Sequence, residues 1–168
     1  MTYRLTTIDI SKENFKFSGA HFTIFNAHER ERLHGHNFKV SASVTAPVDD
    51  NGLCFNYQEI KVRLRAICDE LDEYVLLPEL SPHLVIETSG DTITARFNQE
   101  QMQFLASDTL LLPIRNTTVE EFAHLLLTML VEKDDFFEVN DVRRMVIKVS
   151  SGDGQWGSSV WEPGQKSL

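Results

Sequence analysis

Phe15-Lys16-Phe17-Ser18-Gly19-Ala20-His21 and His34-Gly35-His36-Asn37-Phe38-Lys39-Val40-Ser41-Ala42-Ser43-Val44 are the two stretches on which the fold turns. In the first, Phe15, Phe17, Gly19 and His21 share one parity, with Lys16 and Ser18 opposite. Successive side chains of an extended chain point to opposite faces, so the pattern predicts a strand over residues 14–22 with one buried face. A second strand resumes at His34 or His36 and runs to Val44, while the polar, charged residues 23–33 read as the loop between them. Residues two apart on a strand point to the same side. The imidazoles of His34 and His36 can therefore reach one ion, with no side chain on Gly35 to crowd them. An antiparallel return through the loop could bring His21 beside the pair. Three neutral imidazoles plus an open position is the coordination of a catalytic zinc. Spacing alone also fits two exposed loop histidines and one packed core histidine. His28, in a charged loop, is a spare ligand at most; His83 and His124 read as ordinary loop and helix residues.

Working outward, residues 3–10 are further strand material, and Asp49-Asp50-Asn51-Gly52 is a turn. A helix is predicted from Tyr57 to Tyr74, with Ile60, Leu64, Ile67 and Leu71 as its apolar stripe and Pro78 and Pro82 ending it. Residues 84–97 read as a hairpin around Ser89-Gly90-Asp91. A second helix starts at Thr117 or Thr118, where Thr118-Val119-Glu120-Glu121 has the capping-box form and Thr117 with Glu120 offers the same alternative. Phe122, Leu125, Leu126, Met129 and Leu130 form its buried face. Two strands follow, near 142–150 and 158–161, joined by a Gly-rich turn. The order strand, strand, helix, helix, strand, strand predicts an α+β domain, its helices on one face of an antiparallel sheet. A single domain over 1–168 is expected, with a hairpin excursion at about 79–112.

Composition narrows the partners. A net charge of −9 and no Lys/Arg-rich run argue against nucleic acid, whose phosphates need clustered positive charge, and against anionic membrane surfaces. A small anionic substrate still fits, because a metal makes a local pocket positive. No stretch is apolar and long enough to cross a bilayer, and the N-terminus has no signal-peptide run. Cys54 and Cys68 have no paired spacing and read as reduced, packed side chains in a cytoplasmic protein. Trp156 and Trp161 read as packing residues near the last strands.

Several segments together resemble a known family. Phe17-Ser18-Gly19-Ala20-His21-Phe22, then Leu33-His34-Gly35-His36-Asn37-Phe38, then Gly52-Leu53-Cys54-Phe55-Asn56-Tyr57-Gln58-Glu59-Ile60-Lys61, then Leu71-Asp72 with Val75-Leu76-Leu77-Pro78, then Asn116-Thr117-Thr118-Val119-Glu120-Glu121, occur in this order. They are similar to the 6-pyruvoyl-tetrahydropterin synthase / 6-carboxytetrahydropterin synthase family, with Asn56 where aspartate is usual. The resemblance implies a tunnelling fold, an antiparallel four-stranded sheet with two helices on one face. It implies homo-oligomeric barrels, trimers or hexamers, with active sites between subunits. It also implies Zn2+ on His21, His34 and His36, and a small-molecule dihydropterin substrate, usually 7,8-dihydroneopterin triphosphate.

The chain departs from that pattern at three further places. The family's cysteine base stands four positions before the first histidine of His-Gly-His; here that residue is Arg30. Glu31, three before His34, resembles a variant branch known from malaria parasites and some bacteria. That branch uses a glutamate as base and cleaves the side chain to 6-hydroxymethyl-7,8-dihydropterin. Glu29 competes if the loop register slips, and both also fit the solvated charge run Glu29-Arg30-Glu31-Arg32. Next, the family's Asp-His relay is Asp72-Glu73 here. Asp72 is the retained catalytic candidate, and a helix-end surface acid is its plainer reading. Lastly, the glutamate that anchors the pterin falls at Ser151, with Asp153 a substitute if Ser151-Gly152 forms a bulge. Thr118 and Glu120 match pterin-binding positions and also suit helix capping.

The expectation is a zinc-dependent pterin lyase with Glu31 and Asp72 as catalytic residues and Thr118, Glu120 and Ser151 on the substrate. The alternatives are a zinc enzyme of the same fold on a different pterin-like heterocycle, and a zinc- and pterin-binding oligomer without chemistry.

Overall fold

A computed structural model describes residues 4–132 and 135–164; Tyr3, expected at the start of the first strand, lies outside them. The two deciding stretches form one long hairpin. Strand β1 (Leu5–His21) pairs antiparallel with β2 (His34–Pro47), in a register running from Leu5 opposite Pro47 to His21 opposite His34. The two segments expected at 3–10 and 14–22 are thus one strand, interrupted by a register irregularity between Ser11 and Lys16. Phe15 and Phe17 are buried while Lys16 is exposed, as parity requires.

β2 pairs antiparallel with β8 (Arg144–Gly152), and β8 with β9 (Gln155–Trp161). The sheet does not stop at four strands. On the other side of β1 lie β3 (Tyr74–Pro78) and β7 (Thr109–Leu112), both parallel to their neighbours, so the sheet has 6 strands in the order β7-β3-β1-β2-β8-β9. The four-stranded, wholly antiparallel expectation is corrected accordingly.

The added strands follow from where the first helix ends. Helix α1 (Tyr57–Leu71) begins on Asn56, whose side chain accepts the Gln58 amide, a cap worth about 1 kcal/mol. It ends at Leu71, not Tyr74. Asp72 is extended and takes the Ser18 amide on its carboxylate at 2.6 Å, and Glu73 is left-handed at φ 66°. This turn throws the chain back beside β1. Pro78 therefore closes a strand instead of stopping a helix.

Helix α2 (Val119–Glu132) is followed by the short α3 (Phe136–Val139). The stripes of α1 and α2 pack with the inner face of the sheet in one apolar cluster that includes Phe17, Phe38, Ile60, Leu64, Phe122 and Leu126. The expected hairpin is β4 (Leu84–Ser89) and β5 (Thr92–Phe97), and β6 (Glu100–Leu105) extends it to a 3-stranded sheet. A second apolar cluster, with Phe22, Ile24, Leu77, Leu84, Ile93 and Phe97, joins this small sheet to the residues after His21. The loop between β1 and β2 is thereby held against the excursion.

Candidate metal centre and its cavity

The end of the hairpin carries the histidines. His21 and His34 are opposite each other in the ladder, and His36, two further on, faces the same way. One ring nitrogen from each lies within 4.8 Å of the others. Nε2 of His34 is 3.1 Å from Nε2 of His36. Two of the outer nitrogens are already committed. Nδ1 of His21 donates to the Thr117 carbonyl at 2.9 Å, and Nδ1 of His34 to the Arg32 carbonyl at 2.7 Å, because a carbonyl can only accept. Both tautomers therefore leave Nε2 with its lone pair turned inward.

These residues fit a metal. His21 is 4% exposed, and its Nε2 is buried without a hydrogen-bond partner. An orphaned buried acceptor is costly unless something fills its lone pair. Two nitrogens about 2.0–2.1 Å from a tetrahedral zinc stand about 3.3 Å apart, close to the His34–His36 separation. Burial above all, then the neighbouring His34 charge, pulls the His21 pKa down to about 4, so the ring is neutral and competent as a ligand. Phe38 and Phe122 pack against His21 and make an apolar floor. Gly35 is not needed for clearance: a Cβ there would meet only the Gly19 carbonyl, at an ordinary 3.6 Å.

The histidines open into a cavity of about 630 Å3, also lined by Glu31, Thr118, Glu120 and Ser151. Glu31 is placed by a reciprocal pair. Its amide donates to the Thr23 carbonyl at 2.8 Å, and its Oε2 accepts the Thr23 amide at 2.9 Å. Oε2 then stands 3.9 Å from Nε2 of His34. Burial would raise its pKa, but the Thr23 hydrogen bonds and the adjacent imidazoles outweigh this and hold it below the usual range. Glu29 is exposed and lies outside this cavity. His28, His83 and His124 are exposed and outside the cluster.

Thr118 does cap α2, its hydroxyl accepting the Glu121 amide at 3.4 Å. The box is not completed, since the Glu121 carboxylate instead takes the Arg115 amide at 2.7 Å. Thr117 does not cap; its hydroxyl donates to the Phe22 carbonyl. Ser151 lies beside a bulge, with the β8–β9 register shifting between Val149 and Gly152. That bulge does not bring Asp153 in. Asp153 faces outward and pairs with Lys39 at 3.0 Å. Asp72 is not among the residues that line the histidine cavity, and Glu73 lines a separate depression that His36 also borders.

Thr23, Thr117, Gln155, Trp156 and Gly157 also line the cavity, a role the sequence reading gave to none of them. Thr23 and Thr117 act through backbone atoms, which composition does not mark. Gly157 is a contact point: a Cβ there would lie 2.6 Å from the Val119 carbonyl carbon, so β9 runs directly over the start of α2. A glycine amid strand residues was the available signal.

A family model for 6-pyruvoyl tetrahydropterin synthase matches residues 9–158. The chain belongs to this family. A provisionally named 6-carboxy-5,6,7,8-tetrahydropterin synthase of Methanocaldococcus jannaschii is 25% identical over 141 residues, covering 83% of this chain and 86% of the relative. The crystal structure of 6-pyruvoyl tetrahydropterin synthase from Plasmodium vivax matches with a TM-score of 0.90 at 26% identity, covering 95% of this chain and 99% of that one. Structures of the same protein with a glutamate, described as a catalytic residue, replaced by alanine or by cysteine give the same TM-score of 0.90. The Plasmodium falciparum protein matches at 0.89 and 27% identity, covering 94% and 98%. The Caenorhabditis elegans enzyme shares the fold at a TM-score of 0.59 and 13% identity. Family membership places the chain among pterin-biosynthesis enzymes, which generally bind zinc, and its histidine cluster could hold a metal. Among the described residues, no helix is long and apolar enough to cross a membrane.

Proposed function

We propose that the chain is a zinc-dependent lyase acting on 7,8-dihydroneopterin triphosphate or a close dihydropterin relative, with Glu31 as general base. The observation that carries this reading is the position of Glu31, its carboxylate 3.9 Å from the imidazole of His34 inside the same cavity. The vivax protein with its replaced catalytic glutamate supports it by analogy.

Zinc held by His21, His34 and His36 would polarise the side-chain oxygens of the substrate. Glu31 takes the proton from the outer side-chain hydroxyl, the carbon–carbon bond to the ring-side carbon breaks, and the outer fragment leaves as a triphosphorylated aldehyde; the electron pair passes into the pterin ring, and the proton is returned to the ring-side carbon. The expected product is 6-hydroxymethyl-7,8-dihydropterin. Glu31 is 37% exposed and ionised before substrate enters. A bound pterin that displaces water raises its proton affinity toward the working range of a base. Arg30 cannot take the cysteine's part, having neither a nucleophilic sulfur nor an acceptor atom.

Thr118, Glu120 and Ser151 hold the pterin in the cavity. The whole chain, 1–168, acts as one domain, with the excursion at about 79–112 as part of it. Asp72 serves the reaction only if a second copy brings it to the cavity, as in a trimeric or hexameric barrel with sites between subunits. A cytoplasmic location suits the two free cysteines.

Incubating purified protein with zinc and 7,8-dihydroneopterin triphosphate, followed by mass spectrometry, tests the reading. A shortened pterin is expected. No turnover with substrate binding intact overturns it.

Ser151 favours a second reading. It offers a hydroxyl where the family places a carboxylate, which would accept two parallel N–H bonds from the pterin. A different heterocycle would then be the substrate, revealed by which ligands raise the melting temperature.

A further inference from the structure

Arg30 does not behave as a member of a solvated charge run. Its side chain is only 15% exposed. Its guanidinium lies between two rings, 5.2 Å from the centroid of Phe22 and 5.7 Å from that of Phe97. Nη2 pairs with Glu100 at 2.5 Å, and Nη1 donates to the Glu31 carbonyl at 2.8 Å. Phe97 ends β5 and Glu100 begins β6. One side chain thus ties the backbone of the proposed base to the turn of the small sheet.

We propose that Arg30 is a positioning residue for Glu31, and that the β5–β6 turn acts on the site through it. This rests on the reading of Glu31 as base. The geometry makes the connection rigid. A planar guanidinium lying over two aromatic faces has little freedom, and Nη1 and Nη2 meet a carbonyl and a carboxylate in fixed directions, while Nε is buried without a hydrogen-bond partner. The carbonyl it grips belongs to the residue whose amide and carboxylate both bond Thr23. Releasing that grip lets the 23–31 loop shift, moving Oε2 relative to His34. The excursion therefore has a use beyond its own packing: it supplies Phe97 and Glu100 as the outer half of a clamp.

The test compares Arg30→Met, which keeps bulk between the rings, with Arg30→Lys and Glu100→Gln in the zinc-loaded protein. Arg30→Met should lower kcat at least about tenfold with KM within about twofold, since a base displaced by a fraction of an ångström loses rate before affinity. Arg30→Lys should recover part of the loss, and Glu100→Gln should show a smaller loss in the same direction. In a Glu31→Gln background, Arg30→Met should cost nothing further, because a positioning residue has nothing left to position. Hydrogen exchange of the 23–31 segment should quicken in Arg30→Met, whether or not a substrate turns over. Wild-type kcat in Arg30→Met, an additional loss in the Glu31→Gln background, or unchanged exchange in the segment would each overturn the proposal. If wild-type protein turns over no pterin, the base reading fails, and the exchange measurement alone decides whether Arg30 holds the loop.

Discussion

The carbonyl of Thr117 accepts the Nδ1 proton of His21 at 2.9 Å, and this one bond links the start of α2 to the end of β1 at the metal-competent cluster. It fixes the His21 tautomer and turns Nε2 toward His34 and His36. Outer partners of this kind orient metal-ligating imidazoles and raise their basicity. Removing any imidazole should therefore remove the ion. His21→Ala, His34→Ala and His36→Ala are each expected to fall from about one zinc per chain to near none. Elemental analysis of dialysed protein checks this, and full zinc in the three variants would refute the site.

The same burial gives the metal-free protein a pH signature. His21 has a pKa of about 4 in the fold against 6.5 for an ordinary histidine. Between those values the unfolded chain binds a proton that the native state refuses. Stability is therefore whole above about pH 6.5, shrinks as pH falls, and levels off below about pH 4. A shift of this size is worth up to about 3 kcal/mol. Urea midpoints of metal-stripped protein should show the slope, and His21→Gln should lack it. Identical profiles for the two proteins would count against a buried neutral His21.

Glu31→Gln keeps the length of the side chain and an oxygen for the Thr23 amide but loses the base. Its kcat should fall about 10²–10⁴-fold. Zinc content should stay at the wild-type level, because the imidazoles are untouched. Pterin affinity by calorimetry should change only severalfold. Unchanged turnover would move the base to another residue, while loss of zinc would make Glu31 a ligand instead.

How much of this was readable beforehand depends on whether the controlling contact is local. The β1–β2 hairpin and its histidines were legible because side-chain alternation places Phe15, Phe17, Gly19 and His21 on one face without help from the rest of the chain. The strand at Tyr74–Pro78 was not, since an apolar run after a helix looks like more helix. What ends α1 is the Asp72–Ser18 bond and the left-handed Glu73, and both depend on β1 lying alongside. The parallel pairs of β3 and β7 join residues far apart in sequence and leave no local period. In the site, Glu29-Arg30-Glu31-Arg32 reads as uniform charge. Only the fold separates an exposed Glu29 and Arg32 from a gripped Arg30 and a Glu31 beside the imidazoles. Asp153 lies away from the cavity because its position turns on the geometry of a bulge, which composition does not reveal.

Two glycines make opposite predictions from the same substitution. At Gly157 a Cβ would lie 2.6 Å from the Val119 carbonyl carbon and 2.8 Å from the Glu120 nitrogen, all backbone atoms at the first turn of α2. Neither strand nor helix can give way without moving Thr118 and Glu120 in the cavity wall. Gly157→Ala should therefore cost about 1–3 kcal/mol, the usual range for overpacking, and weaken pterin binding as well. At Gly35 the added Cβ meets one carbonyl at 3.6 Å, and the residue between two imidazoles has room to spare. Gly35→Ala should stay within about 0.5 kcal/mol of wild type and keep its zinc. Chemical denaturation with metal analysis on both variants separates the two cases. A Gly35→Ala protein that loses metal would mean that the two histidines need a freer backbone than their spacing requires, and a fully stable Gly157→Ala protein would mean that β9 can lift away from α2.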